Sequence, residues 1–310
     1  MKDKGIFEKV PCNLCKSEDY DVVYKANYEN EKDSDINQKF RASGDELLID
    51  QVVRCKKCGL KFINPRIKSN VIVKAYSEGE DPVFVSQADA RERTFAKSLK
   101  RIEKYAKNKG RILDVGTAGG SFLGAAKKMG WETYGCEPNK WMAKWGEKRY
   151  GIKIKPGTLF DQNYKDNFFN VVTLWDVIEH TPDPLEVLKE CNRILKKDGI
   201  MVVNYPDIGS WIARIMGRKW LFLTSVHLYY FTPRTIKLML NKAGFEVLTI
   251  KPHFQNLELG YLFFRAGSYS KLISKIGGWF VKILGLEHKL APYWLGQTFL
   301  IVKKKSNLSR

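Results

Sequence analysis

The stretch RILDVGTAGGSF, residues 111–122, runs from an apolar segment straight into bare backbone. Ile112 to Val115 holds one acid, Asp114, and is followed by Gly116, Ala118, Gly119 and Gly120. A short apolar run bounded by glycines reads as a buried strand. Glycines placed directly after a strand let backbone approach a ligand, and the helix that follows offers free N–H groups. Tight packing of helix against strand is the alternative reading of the same glycines. The spacing from Asp114, D-x-G-x-A-G-G, differs from the G-x-G-x-x-G of dinucleotide binders.

Outward from this stretch the pattern alternates. Strand candidates fall at 111–115, 132–136, 152–154, 169–175, 199–204, 245–250 and 297–303, with helices between most of them. An amphipathic helix precedes the first strand: residues 88–109 place Phe95, Leu99, Ile102 and Ala106 on one face and stop at Gly110. Asp183-Pro184 opens another helix, which Gly199 ends, and Thr232-Pro233 opens a third, with Gly244 beyond its end. Such alternation predicts an α/β protein with a parallel, doubly wound sheet.

The N-terminal 80 residues read differently. Cys12-Asn-Leu-Cys15 and Cys55-Lys-Lys-Cys58 are two CxxC pairs separated by 39 residues. Two such pairs give a closed tetrahedral Cys₄ set for a structural Zn²⁺, and Gly59 suits the knuckle turn. The segment 1–80 is therefore expected to be a zinc-ribbon-like module whose folding is coupled to metal. Its inter-pair loop, 27–46, is polar and expected to be exposed. Cys136 and Cys191 fall within strand and helix patterns and read as core.

The second strand decides what the glycine turn holds. WETYGCEPN, residues 131–139, ends in Glu137, 23 residues after Asp114. A carboxylate there can accept both hydroxyls of a ribose. With GTLFDQNYKDNFFNVVTLWDVIEHTPDPLEVLKECNRILKKDGIMVVNYPD (157–207) and HLYYFTPRTIKLMLNKAGFEV (227–247), the chain resembles the class I S-adenosylmethionine-dependent methyltransferases over about 110–250. Ala118 stands where that family has the middle glycine of D-x-G-x-G-x-G. The N-terminal module is similar to one found in methyltransferases of glycan and sugar modification.

The resemblance implies a Rossmann-like seven-stranded methyltransferase domain over 81–310, joined by the helix at 88–109 and carrying a basic amphipathic insertion at about 255–295. It implies S-adenosyl-L-methionine as cofactor, with Asp114, Gly116, Ala118 and Gly120 around the methionine moiety. Glu137 would hold the ribose, Thr158 and Leu159 would border adenine, and Trp175 would line the pocket. Core packing is the alternative for each, for Trp175 above all.

Methyl transfer from a sulfonium needs alignment and, for some acceptors, removal of a proton. Asp176 and His180 are spaced to share one helix face, and His227 stands among aromatics in SVHLYYF. These three are the candidate catalytic residues. In ubiquinone-pathway O-methyltransferases, which the chain resembles here, an acid-x-x-Glu-His group is associated with a divalent metal; its counterpart is Asp176, Glu179 and His180. A loop tied by hydrogen bonds, or a satisfied buried histidine, is the alternative.

Formal net charge is +19 over 310 residues, with 44% hydrophobic residues. The latter is enough for a core, and the former favours acidic partners. Met1 opens a polar segment without a signal-peptide pattern, and the longest uncharged run, Trp220–Pro233, is too short to span a bilayer. A cytoplasmic protein, able to sit at a membrane surface, is expected. Residues 251–310 hold ten Lys or Arg and two Glu. Leu272, Ile273, Ile276, Trp279, Phe280, Ile283 and Leu284 keep one face of a helix there, with Lys271, Lys275 and Lys282 off it. That face can meet an anionic membrane or pack as a lid or dimer contact.

The expected function is methylation, at oxygen or carbon, of a small-molecule, sugar, nucleotide-sugar or lipid-linked glycan intermediate. An RNA methyltransferase and a non-catalytic zinc-ribbon binding module are the alternatives. Nucleic acid is disfavoured: WDVI stands where an N/D-P-P-Y motif would follow the fourth strand, and no Pro-Cys pair marks a cytosine-methylating nucleophile.

Overall fold

Runs of β-branched and aromatic residues that are apolar on both faces build the centre of the protein, as a sheet covered on both sides requires. The computed structural model describes residues 5–27, 48–106, 108–267 and 270–305. Seven strands form one sheet: β1 (Arg111–Val115), β2 (Glu132–Glu137), β3 (Ile154–Pro156), β4 (Phe169–Trp175), β5 (Leu195–Pro206), β6 (Phe245–Pro252) and β7 (Gln297–Lys304). Their order is β3-β2-β1-β4-β5-β7-β6. This is the expected Rossmann-like methyltransferase sheet.

It is mixed, however, and not wholly parallel. β7 pairs antiparallel with both β5 and β6. The physical reason is the connection: the segment 253–296 leaves from the end of β6 and returns at that same edge, so β7 must run back. Within β4, Val171 and Val172 face opposite ways. Val171 packs with Ile112, Val202 and the helix Ala88–Ile102. Val172 packs with Leu113, Met201 and the helix Pro184–Ile194.

Local signals account for most helix starts. Asp183 accepts Glu186 N with Pro184 in the first turn, and Thr232 caps Pro233–Lys242 in a reciprocal box with Thr235. Two ends differ from expectation. The helix from Ala88 stops at Ile102 and not near Gly110, and the helix from Pro184 stops at Ile194, where the chain enters β5 directly.

The cysteine-bearing segment forms an antiparallel sheet of Tyr20–Tyr24, Val52–Cys55 and Lys61–Ile63, completed by Tyr229–Tyr230 from far along the chain. Asn13 docks it onto the helix at 184: its Oδ1 accepts Leu185 N at 3.1 Å and its Nδ2 donates to Asp183 at 2.8 Å. Lys242 donates to Leu14 O at 2.8 Å. Cys12, Leu14, Val53 and Phe62 lie in one continuous core with Leu174, Leu188 and Phe245. Almost all of the inter-pair loop at 27–46 lies outside the described residues. No helix among the described residues is long and apolar enough to cross a membrane.

Candidate active site

The glycine turn after β1 is held in left-handed backbone, with φ of 64° at Gly116, 47° at Ala118 and 74° at Gly120. Gly116 N and Thr117 N both donate to Cys136 O, which ties the turn to β2. A side chain at Gly116 would lie 2.9 Å from Val177 Cγ2, so the close approach as well as the φ calls for glycine. Ala118 takes the left-handed conformation at the cost an alanine bears there, and its N–H donates to Glu137 Oε2 at 2.7 Å.

Glu137 is fully buried, and its Oε1 accepts Asn139 N at 2.7 Å. The hydroxyl of Tyr76, from the helix Ser69–Glu78, also donates to this carboxylate. Burial, against those bonds, pushes Glu137 up to about 7. Asp114 accepts Thr173 Oγ1 at 2.6 Å and is pushed up by burial to about 7. Asp114, Gly116, Ala118, Gly120 and Glu137 thus share one cradle at the carboxyl ends of β1 and β2. The cradle fits S-adenosylmethionine in one respect visible here: Glu137 already accepts a hydroxyl, from Tyr76, as it would from a ribose.

Beyond β3, Thr158 donates through its N and Oγ1 to Asp161, each at 2.7 Å, and Leu159 is buried. Trp175 ends β4 but packs among Phe95, Phe122, His253 and Phe299, with ring centroids 5.1–5.9 Å away. Its Nε1 has no partner among the described residues.

The segment after β4 is not helical. Asp176 has φ of 51°, residues 178–180 form a turn, and the helix begins only at Pro184. The helical spacing expected of Asp176 and His180 therefore does not arise. Asp176 turns to Asn204 and Gln255, with Arg91 near enough to favour its charge, while burial raises it to about 6.

His180 instead meets His227, their ring centroids 4.6 Å apart. His180 Nδ1 lies 3.0 Å from Val226 O, and His227 Nδ1 lies 2.7 Å from Phe222 O. A carbonyl acceptor assigns the proton to Nδ1 in each ring and leaves Nε2 as the basic nitrogen. Burial lowers His180 to about 4 and His227 well below its ordinary range, so both are neutral at physiological pH. Glu179 completes the group. It is 1% exposed, neither carboxylate oxygen has a hydrogen-bond partner among the described residues, and burial raises it well above its usual range. Ligand atoms of Glu179, His180 and His227 lie within 4.8 Å of one another and could hold a metal ion. The two histidines that compete for one role in the sequence are neighbours, brought together because Tyr229 N donates to Glu179 O.

Cys12, Cys15, Cys55 and Cys58 converge in the same way, with Cys12–Cys58 and Cys15–Cys55 sulfur separations of 3.4 Å. Thiolates around a tetrahedral zinc stand about 3.8 Å apart, so the set fits a closed Zn²⁺ site and could hold one. Cys55 is lowered to about 7 by hydrogen bonds that outweigh burial, whereas burial raises Cys12 to about 11.

Sequence reasoning missed Tyr76, Arg91, Asn204 and Gln255. Asn204, at the carboxyl end of β5, was the one accessible by rule, because ligands in open sheets sit outside strand ends. The others reach the site from helices and from the insertion, where spacing carries no signal.

A family model described as a methyltransferase domain matches residues 87–250. The ubiquinone biosynthesis O-methyltransferase of Cereibacter sphaeroides is 27% identical over 148 residues, 44% of this chain and 60% of that protein. The sarcosine/dimethylglycine N-methyltransferase of Halorhodospira halochloris is 25% identical over 205 residues, 62% of this chain and 70% of that one. The chain spans 60–65% of the length of the first curated relatives it matches. The crystal structure of a SAM-dependent methyltransferase from Archaeoglobus fulgidus superposes with a TM-score of 0.50 at 21% identity, covering 72% of this chain and all of that one.

Proposed function

The chain belongs to the methyltransferase domain family, and from that premise we propose that it methylates a small-molecule acceptor of the sugar, nucleotide-sugar or lipid-linked class. The observation that carries the reading is the cradle of Glu137 and the Gly116–Gly120 turn, against which Val177 packs two residues before the Glu179–His180–His227 group begins. The names of the relatives, a ubiquinone-pathway O-methyltransferase and a sarcosine/dimethylglycine N-methyltransferase, favour a small acceptor over RNA. The +19 charge favours an acidic one.

Bound S-adenosylmethionine supplies an activated methyl group. The chain's part is to align the acceptor and take its proton. His227 Nε2 is the proposed base: its Nδ1 is fixed by Phe222 O, and His180 packs edge-on against it. A neutral imidazole is ready to accept the acceptor's proton at Nε2 as the methyl group is transferred, and it gives that proton up to water afterwards. A second reading rests on the two unpartnered oxygens of Glu179: a divalent cation on Glu179, His180 and His227 would satisfy them and hold an acceptor oxygen. Neither reading assigns the proton to Asp176, which is held by Asn204 and Gln255.

His227→Ala should cut turnover by ~10²-fold with cofactor affinity in calorimetry unchanged, and His180→Ala should cut it less. The acceptor is sought by incubating a metabolite pool with protein and labelled cofactor. Equal, small losses in both variants would remove the base. Loss of turnover on chelation, restored by a divalent cation other than zinc, would select the metal reading.

A further inference from the structure

The insertion between β6 and β7 folds as two helices, Leu259–Ala266 and Lys271–Ile283, on a two-stranded stem of Gln255–Glu258 and Leu290–Tyr293. The second helix packs on the first through one narrow side. Gly277 lies against the ring of Phe263, Val281 is buried, and a side chain at Gly277 would sit 2.1 Å from that ring. Another side of the same helix carries Leu272, Ile273, Ile276, Trp279, Phe280 and Ile283. Each of these is about half exposed or more, Leu272 reaching 67% and Trp279 57%. A contiguous apolar face of this size is not left to water without a partner. The lid packing weighed for this helix does not occur among the described residues.

We propose that this face is a docking surface for an anionic lipid bilayer, on which the helix lies in the plane of the headgroups. Charge supports that occupant. Lys271, Lys275 and Lys282 follow one edge of the apolar face, all exposed, and no Asp or Glu occurs between residues 259 and 286. Basic side chains beside a face rich in Leu, Ile, Phe and Trp are what an anionic headgroup layer attracts, and tryptophan favours the interface itself. A second copy fits less well, because two such faces would bring their lysine edges together. At 13 residues the helix lies on a bilayer and does not cross it. The insertion leaves β6 and re-enters β7 at the strand ends that carry the active site, so docking would turn that site toward the membrane. The proposal does not depend on the acceptor class.

The test is co-sedimentation of the full chain with vesicles of phosphatidylcholine alone and with a third of the lipid replaced by phosphatidylglycerol. The protein is expected to sediment with the anionic vesicles and stay in solution with the neutral ones. Trp279→Ser combined with Phe280→Ser should weaken vesicle affinity by at least about tenfold, and Lys271→Gln with Lys275→Gln and Lys282→Gln should do so similarly. Both sets of positions are exposed, and unchanged circular dichroism and melting will verify the fold. No binding to anionic vesicles, or equal binding by the variants, overturns the proposal. So does a dimer in solution that the aromatic double variant dissolves without any vesicle binding, which would give the face to a second copy.

Discussion

At the scale of single residues, Glu137 shows how much a position can say and how much it withholds. Its place at the end of β2 marked it as a ribose partner, yet nothing in the sequence announced that Tyr76 reaches it from a helix some sixty positions earlier. Glu137→Ala should weaken S-adenosylmethionine by about 1.5–3 kcal/mol, measured by calorimetry, since charge-assisted bonds are lost. The same carboxyl should also leave a mark on pH dependence. Its folded pKa, about 7, lies above the ordinary glutamate value of 4.5. It therefore favours the folded state fully below the lower value, and that contribution is lost as pH rises through about 7. The melting point of Glu137→Gln minus that of the wild type should accordingly increase from pH 5 to pH 8, by the equivalent of up to about 3 kcal/mol. Buried histidines titrate alike in both proteins and cancel; a flat difference would mean the carboxyl is not strained by burial. Ala118, with φ of 47°, supports a third expectation. Replacing it by glycine relieves about 1 kcal/mol or more of left-handed strain, against up to about 1 kcal/mol of added chain entropy in the unfolded state. The variant should melt no lower than the wild type and up to a few degrees higher; a clear drop would mean that the methyl packs usefully.

Elements were legible where periodicity and caps act locally. All seven strands of the sheet were placed within a few residues, because buried strands are continuous apolar runs, and Asp183, Thr232 and their prolines opened helices as read. Three features escaped. The direction of β7 depends on where the insertion returns, which no local pattern encodes. Asp176, Glu179 and His180 looked helical by spacing, but Asp176 turns the chain left-handed and Pro182 and Pro184 defer the helix. The third is the strand Tyr229–Tyr230, which completes the cysteine-bearing sheet from more than 160 residues away. That strand follows His227 by two positions, and Phe62 stacks on Tyr229 with centroids 6.3 Å apart. Zinc bound by the four cysteines would therefore brace the segment that carries the proposed base, His227. Cys55→Ser should release the metal, measured by elemental analysis, and should lower turnover even though no cysteine lies in the Glu179–His180–His227 group. Full turnover in a zinc-free variant would show that the sheet holds His227 unaided.

For the whole molecule, composition gave the class and the charge, but the relation between the two sequence regions was hidden in contacts. The break in pattern near residue 80 suggests two units. The packing joins them: Cys12, Leu14 and Phe62 share a core with Leu174, Leu188 and Phe245, and Asn13 bonds to the first turn of the helix at 184. Arg66, 7% exposed, adds to the seam by donating to Pro182 O at 2.9 Å and to Glu8 at 3.0 Å. A guanidinium buried between the parts is costly to expose alone, because separating them would strand its carbonyl partner and open apolar surface on both sides. The zinc-loaded chain should accordingly unfold in a single calorimetric transition, with matching midpoints from near-ultraviolet and far-ultraviolet circular dichroism. Chelation should lower that one midpoint by at least about 5 °C, since metal binding feeds the stability of everything cooperative with the site. Two separated transitions, with only the lower one moved by chelator, would mean that residues before 80 melt on their own and that the shared core is too weak to couple them.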